Sequence, residues 1–224
     1  MSINLINYQK IKSIADSHQA KLVAVSKTKP LDDILALHQE GQLLFGENYV
    51  QELTDKFKEA PLTIEWHFIG HLQTNKVKYI QPIAKLIHGV DSEKLLMEIN
   101  KQAEKNNSNS NILLQIHIAQ EETKFGLDEI ELNTILENYS KGKFSNIRIK
   151  GLMGMASFTD NQSHIKKEFT GLKQIFDRHS DEYKFDTLSM GMSSDYQIAL
   201  DCGSTMIRIG SAFFGERQYK PIND

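Results

Sequence analysis

The chain has 224 residues, 40% hydrophobic and 25% charged, with 26 lysines and arginines against 29 aspartates and glutamates for a net charge of −3. This is an ordinary soluble-globular composition, and near-neutrality gives no electrostatic case for a nucleic-acid or membrane-surface partner. The one cysteine, Cys202, excludes an intrachain disulfide and points to a reducing compartment. The opening stretch MSINLINYQKIKSIADS is too polar for a signal-peptide core. No apolar run reaches the roughly 18 residues that a membrane helix needs, so a cytoplasmic protein is expected. At this length residues 1–224 read as one domain.

An N-terminal helix is expected near 3–18. Short apolar runs then alternate with amphipathic segments. LVAVS (22–26) precedes a helix at 31–40, LLF (43–45) one at 47–59, IEWHFI (64–69) one at 74–80, and KLIHGV (85–90) one at 92–105. ILLQIHI (112–118) precedes 128–139, IRIKGLM (147–153) precedes 162–179, DTLSM (186–190) precedes 194–201, and TMIRIG (205–210) closes the series. The nearest thing to a linker is the short polar stretch EKNNSNSN at 104–111. Strands separated by helices pair in parallel through crossovers, and eight such units close economically into a (β/α)8 barrel with an extra N-terminal helix. The competing fold, an open doubly wound sheet, lacks its GxGxxG turn after the first strand.

Active sites of such barrels lie at the carboxyl ends of the strands, and the unusual residues of this chain fall there. In VAVSKTKP, Lys27 ends a buried-looking run. Low-dielectric walls disfavour its ammonium, and a neutral amine can form a Schiff base with an aldehyde. The alternative is a lysine whose stem packs while its head reaches water; Lys29 is expected to be a solvated companion. Gly210 and Ser211 open the last helix directly after the eighth strand, which makes either an anion site or a plain serine N-cap. Ser189, Gly191 and Ser193 of LSMGMSSD lie beside them. Arg208, between Ile207 and Ile209, must face the barrel interior. There it either pairs with a carboxylate or offers a permanent cation to a ring nitrogen. His67 and His71 in WHFIGHLQTNK have i, i+4 spacing, but the segment begins as a strand and lacks the HExxH glutamate. No metal is expected, and His67 reads as an inward-facing polar group. Glu47 and Asn48 stand at an expected helix start, as caps or as ligand contacts. Cys202 reads as a packed small residue, and no Ser-His-Asp or paired-carboxylate arrangement stands out.

VAVSKTKP, FGENYVQE, WHFIGHLQTNK, KFG, GLMGMA, LSMGMSSD and GSTMIRIGSAFFGER, in this order from residue 23 to 217, resemble the pyridoxal 5′-phosphate (PLP) homeostasis proteins, the YggS-like or proline-synthase-co-transcribed family. The resemblance implies a barrel like the N-terminal one of alanine racemase, a fold-type III PLP protein. It implies that Lys27 carries PLP as an internal aldimine and that Arg208 faces the pyridine nitrogen. It also implies that Gly210 and Ser211, helped by Ser189, hold the phosphate, with Asn48 beside the cofactor. Where the racemases have arginine in an R-x-G turn, this chain has Lys124 in KFG, a departure from racemase substrate-carboxylate chemistry. Racemases of the related fold add a β-rich domain with a tyrosine opposite the lysine; this sequence reaches Asp224 soon after its last helix, so no second acid/base is expected. The favoured expectation is a monomeric, non-catalytic protein that carries, buffers or delivers PLP, with apo PLP-dependent enzymes as recipients. The competing expectation is a weak amino-acid racemase or other PLP enzyme. A cofactor-free class I aldolase comes third, because no acid/base partner for Lys27 is in evidence.

Overall fold

The structure is a computed structural model that describes residues 3–121 and 125–215. Helix α1 (Leu5–Ser17) leads into strand β1 (Lys21–Val25), and α2 (Leu31–Gln39), β2 (Leu44–Glu47), α3 (Val50–Glu59) and β3 (Glu65–Phe68) follow. A 3-10 turn (Thr74–Lys76) and the single-turn α4 (Val77–Ile80) connect to β4 (Leu86–Val90), α5 (Glu93–Lys105), β5 (Ser110–Gln115), α6 (Glu129–Ser140) and β6 (Ile147–Met153). Then come α7 (Gln162–Tyr183), β7 (Thr187–Ser189), α8 (Tyr196–Asp201), β8 (Met206–Ile209) and α9 (Ser211–Phe214). The eight strands close into a parallel barrel in sequence order, with β1 pairing both β2 and β8. The (β/α)8 barrel expected from the strand–helix alternation is therefore present.

Side-chain parity divides the barrel into two cores. Leu22 and Ala24 of β1, Trp66 and Phe68 of β3, and Ile207 and Ile209 of β8 face outward and pack against the helices. Val23, Leu86, Leu113, Met153 and Met206 fill the axis. His67, His88, Ser189 and Arg208 share the axial parity and are all buried. Several helices begin where short polar side chains satisfy their first N–H groups. Ser92 accepts from Leu95 N, Asn161 from His164 N, and Asp128 forms a reciprocal capping box with Glu131.

One boundary shift that matters for the site lies between the second strand and its helix. β2 continues through Gly46 and Glu47, and α3 starts at Val50 with Tyr49 at the N-cap, not at 47. The reason is that Glu47 has a partner on α3, described below, and stays extended to reach it. The segment 112–118 also stops early as a strand: β5 ends at Gln115, and Ile116 makes only an isolated bridge to Leu127. Trp66, fully enclosed between barrel and helices and set 6.1 Å from the Phe45 ring, anchors the outer core. Trp66→Ala should lower unfolding stability by about 3–5 kcal/mol in a urea titration. A loss below about 1 kcal/mol would mean the barrel wall does not depend on this packing.

Candidate active site at the carboxyl rim

Lys27 continues the inward parity of Val23 and Val25, and it lines a cleft of about 440 Å³ together with Asn48, Arg208, Gly210 and Ser211. The turn that carries it is held at several points. Ser26 N–H donates to Gly46 O (3.0 Å), and Lys29 N–H donates to Ser26 O (3.1 Å). Thr28 takes φ +64°, a left-handed conformation that is costly for a β-branched residue. Its N–H donates to Glu52 Oε1 (2.6 Å). Beneath the turn, Ser26 Oγ donates to Glu47 Oε1 (2.6 Å). Lys56 Nζ donates to Ser26 O (2.9 Å), Glu47 Oε1 (2.7 Å) and Glu52 Oε1 (2.7 Å). One buried ammonium thus ties two carboxylates to the residues on either side of Lys27. Glu47 is completely buried and its Oε2 has no partner. Burial pushes its pKa up to about 7, against the opposing pull of Lys56. Glu47 therefore neither caps a helix nor lines the cleft; it braces the turn.

Opposite Lys27, β8 passes through Gly210 into α9. The first N–H groups of a helix have no acceptor within it, so this start presents donors to the cleft. A Cβ on Gly210 would meet Val25 O at 3.0 Å and Val25 Cβ at 3.2 Å, so glycine keeps the cup open. Gly210 N–H donates to Ser193 Oγ (3.4 Å), and Ser193 and Ser211 both line the cleft. α9 is pinned from two sides. Asn4 N–H and Asn7 Nδ2 of the N-terminal segment donate to Phe213 O (2.9 Å) and Ala212 O (3.3 Å), and the Tyr8 ring meets Phe213 edge-on at 5.5 Å. Lys29 Nζ donates to Phe214 O (2.6 Å). Lys29 is therefore not a solvated companion of Lys27 but a tie between the first loop and the last helix.

Ser189, expected beside the phosphate, does not line this cleft; it is buried below it. The parity of the short β7 points its hydroxyl along the axis, where it accepts from Arg208 Nη1 and lies 3.2 Å from His88 Nδ1. Ser193, four residues on in the loop, occupies the seat by the cup. Arg208 also donates through Nη2 to Gly154 O (3.3 Å). Among the described residues no carboxylate lies within ion-pair distance of it. Burial brings its pKa down to about 10, with Asp195 opposing, so it remains a cation at neutral pH. Asn48 lines the cleft with its Oδ1 buried and unpartnered. Its backbone is packed against Gly70, where a Cβ would meet Asn48 O at 2.2 Å. His71 stacks on Phe125 (centroids 4.3 Å apart) and bonds Asp91 Oδ2 through Nδ1 (3.1 Å). Among the described residues no cluster of three metal-ligating side chains exists. Lys124 lies outside the described residues.

A lysine, an axial arginine and a glycine–serine helix start thus meet on one rim of a parallel barrel. The sequence model of the family described as "Alanine racemase, N-terminal domain" matches residues 5–218. The pyridoxal phosphate homeostasis protein of Haemophilus influenzae is 38% identical over 229 residues, which cover 97% of this chain and 95% of the relative. The chain belongs to this family of pyridoxal phosphate homeostasis proteins. PipY of Synechococcus elongatus, in a structure described as having PLP bound, superposes with a TM-score of 0.83 at 28% identity, covering 93% of this chain and all of that one (100%). An alanine racemase of Clostridium difficile shares the fold at 14% identity and TM-score 0.76, with 98% of this chain matching 62% of that one.

The raised pKa of Glu47 sets a pH dependence. The folded state binds its proton more tightly than the unfolded chain, whose carboxyl titrates near the model value of 4.5. Stability from this group is therefore highest below about pH 4.5, falls as pH rises, and levels off above about 7. The decline amounts to about 3 kcal/mol. Glu47→Gln should remove that decline, seen as a wild-type-minus-variant stability difference that changes between pH 4.5 and 7 in urea titrations. A pH-independent difference would contradict the burial of an ionisable group here.

Proposed function

We propose that this chain binds PLP through Lys27 and acts as a PLP carrier and buffer within the cell. The observation that carries the reading is the meeting, in one cleft, of a primary amine, a permanent cation and a helix start cleared by glycine. The residues fit the group. Lys27 Nζ would hold the aldehyde carbon of the group. The N–H groups at Gly210 and Ser211 take the phosphate, for which glycine leaves room at the cup. The buried, unpartnered Oδ1 of Asn48 awaits a donor from a ligand. Arg208, held by Ser189 and Gly154 O, would offer its guanidinium to the pyridine nitrogen. The PLP described in the PipY structure and the names of the relatives support the same ligand.

When bound, PLP supplies an electron sink for bonds at the α-carbon of amino acids. The cleft residues make poor use of it. Arg208 only donates, so it leaves the ring nitrogen unprotonated and the sink weak. Among the described residues that line the cleft there is no His, Tyr, Cys, Asp or Glu to act opposite Lys27. This supports a carrier that works as a cytoplasmic monomer and releases PLP to apo PLP-dependent enzymes, over a weak racemase.

Lys27→Ala should abolish the visible absorbance that wild type gains on addition of PLP; retention of the band would place the attachment elsewhere. Gly210→Val should lose PLP on dialysis faster than Ser211→Ala, because the branched side chain meets Val25 while the hydroxyl is secondary to the backbone donors. Equal retention by Gly210→Val and wild type would show that the phosphate sits elsewhere. In heavy water with L-alanine, little α-deuteration and almost no D-isomer should form. A racemisation turnover of about 1 s⁻¹ or more, within the ordinary enzyme range, would restore the enzyme reading.

A further inference from the structure

At the end of the barrel opposite the cleft, a cavity of about 200 Å³ opens among the first residues of the strands. Its inner wall includes His67, which is only 3% exposed. His67 Nδ1 lies 2.9 Å from His88 Nε2, and His88 Nδ1 lies 3.2 Å from Ser189 Oγ, which accepts from Arg208. This chain of bonds has one direction in which every buried hydrogen is used. Arg208 can only donate, so the Ser189 hydroxyl hydrogen must go to His88 Nδ1. His88 then carries its proton on Nε2 and donates to His67 Nδ1. His67 is left with its proton on Nε2, and this nitrogen has no hydrogen-bond partner among the described residues. The reverse direction would bury an unused serine hydrogen, a desolvation cost without compensation.

Around this donor the charges are unbalanced. Lys150 is paired with Asp186, but Lys21 and Lys85, which line the same cavity, make no ion pair or side-chain hydrogen bond among the described residues. Both lie close enough to His67 to help hold its pKa down to about 3, after the larger effect of burial. The ring is therefore neutral at ordinary pH and adds no charge of its own. The described lining carries the ammoniums of Lys21, Lys85 and Lys150 against the carboxylates of Glu65 and Asp186, and Asp186 feels Lys21 as well as Lys150, so the balance stays positive. A neutral N–H on the cavity wall, with two ammoniums beside it that make no ion pair, is a donor set for an anion, and the cavity is large enough for a small tetrahedral one.

We propose that the amino-terminal mouth of the barrel is a second anion site, taking an oxyanion of the phosphate class on His67 Nε2–H and the ammoniums of Lys21 and Lys85. The site is separate from the rim cup and is joined to it through His88, Ser189 and Arg208. The test uses the whole chain loaded with PLP, so that the rim cup is filled, and titrates inorganic phosphate at constant ionic strength. Two-bond proton–nitrogen spectra should show His67 protonated at Nε2, with that resonance shifting saturably. The thermal midpoint should rise by about 5 °C at saturation. Lys21→Ala/Lys85→Ala should lose both responses while keeping the PLP absorbance of wild type. An Nε2 without a proton, or an unchanged phosphate response in the double variant, would overturn the proposal and leave Glu65 and Asp186 as the counter-charges of the lysines. If the double variant fails to fold, the His67 resonances of wild type decide alone. Because the ring signal is read directly, a failure of the chain to take up PLP is seen separately, as missing absorbance.

Discussion

The rim depends on the buried ion pair between Glu47 and Lys56. Ion pairs this deep repay little of their desolvation as net stability, but removing one partner leaves an uncompensated charge. The pair therefore fixes geometry more than it stabilises the fold. Its geometry is specific: Lys56 reaches the carbonyl of Ser26, and Glu47 takes the hydroxyl of the same residue. The backbone entering Lys27 is thus held through both its main chain and its side chain. The left-handed Thr28, a strain on the order of 1–3 kcal/mol, persists because Glu52 holds its N–H from the same network. A lysine on a long, flexible stem is by these means presented from a fixed base.

The same economy governs the opposite wall. α9 is too short to stand alone, and the N-terminal segment, Tyr8 and Lys29 secure it from two sides. Arg208 owes its orientation to Ser189 and Gly154 O, with the two histidines behind them. Lys27 and Arg208 of the cleft are thus both supported by groups that do not line it. The described lining of the cleft holds no His, Tyr, Cys, Asp or Glu.

The barrel was legible in the sequence because each apolar run alternates with an amphipathic one, and parity alone placed Arg208 and His67 on the axis. Lys27, Gly210 and Ser211 were legible for the same reason, as residues immediately past a strand. What was hidden depended on contacts distant in sequence. Nothing local to FGENYVQE shows that Glu47 will meet Ser26 and Lys56, so its run was read as a helix start. Ser189 and Ser193 are both small polar residues after an apolar run. Only the end of β7 tells which one points along the axis and which one reaches the cup. The partner of Lys29, the carbonyl of Phe214, lies at the other end of the chain.

The central claim is that one lysine on this braced turn holds PLP. The most direct measurement is borohydride reduction of the PLP-loaded chain followed by peptide mapping. The account predicts one pyridoxyl group per chain, on the peptide containing Lys27. A pyridoxyl group on Lys29 or Lys124 instead, or none at all, would contradict it.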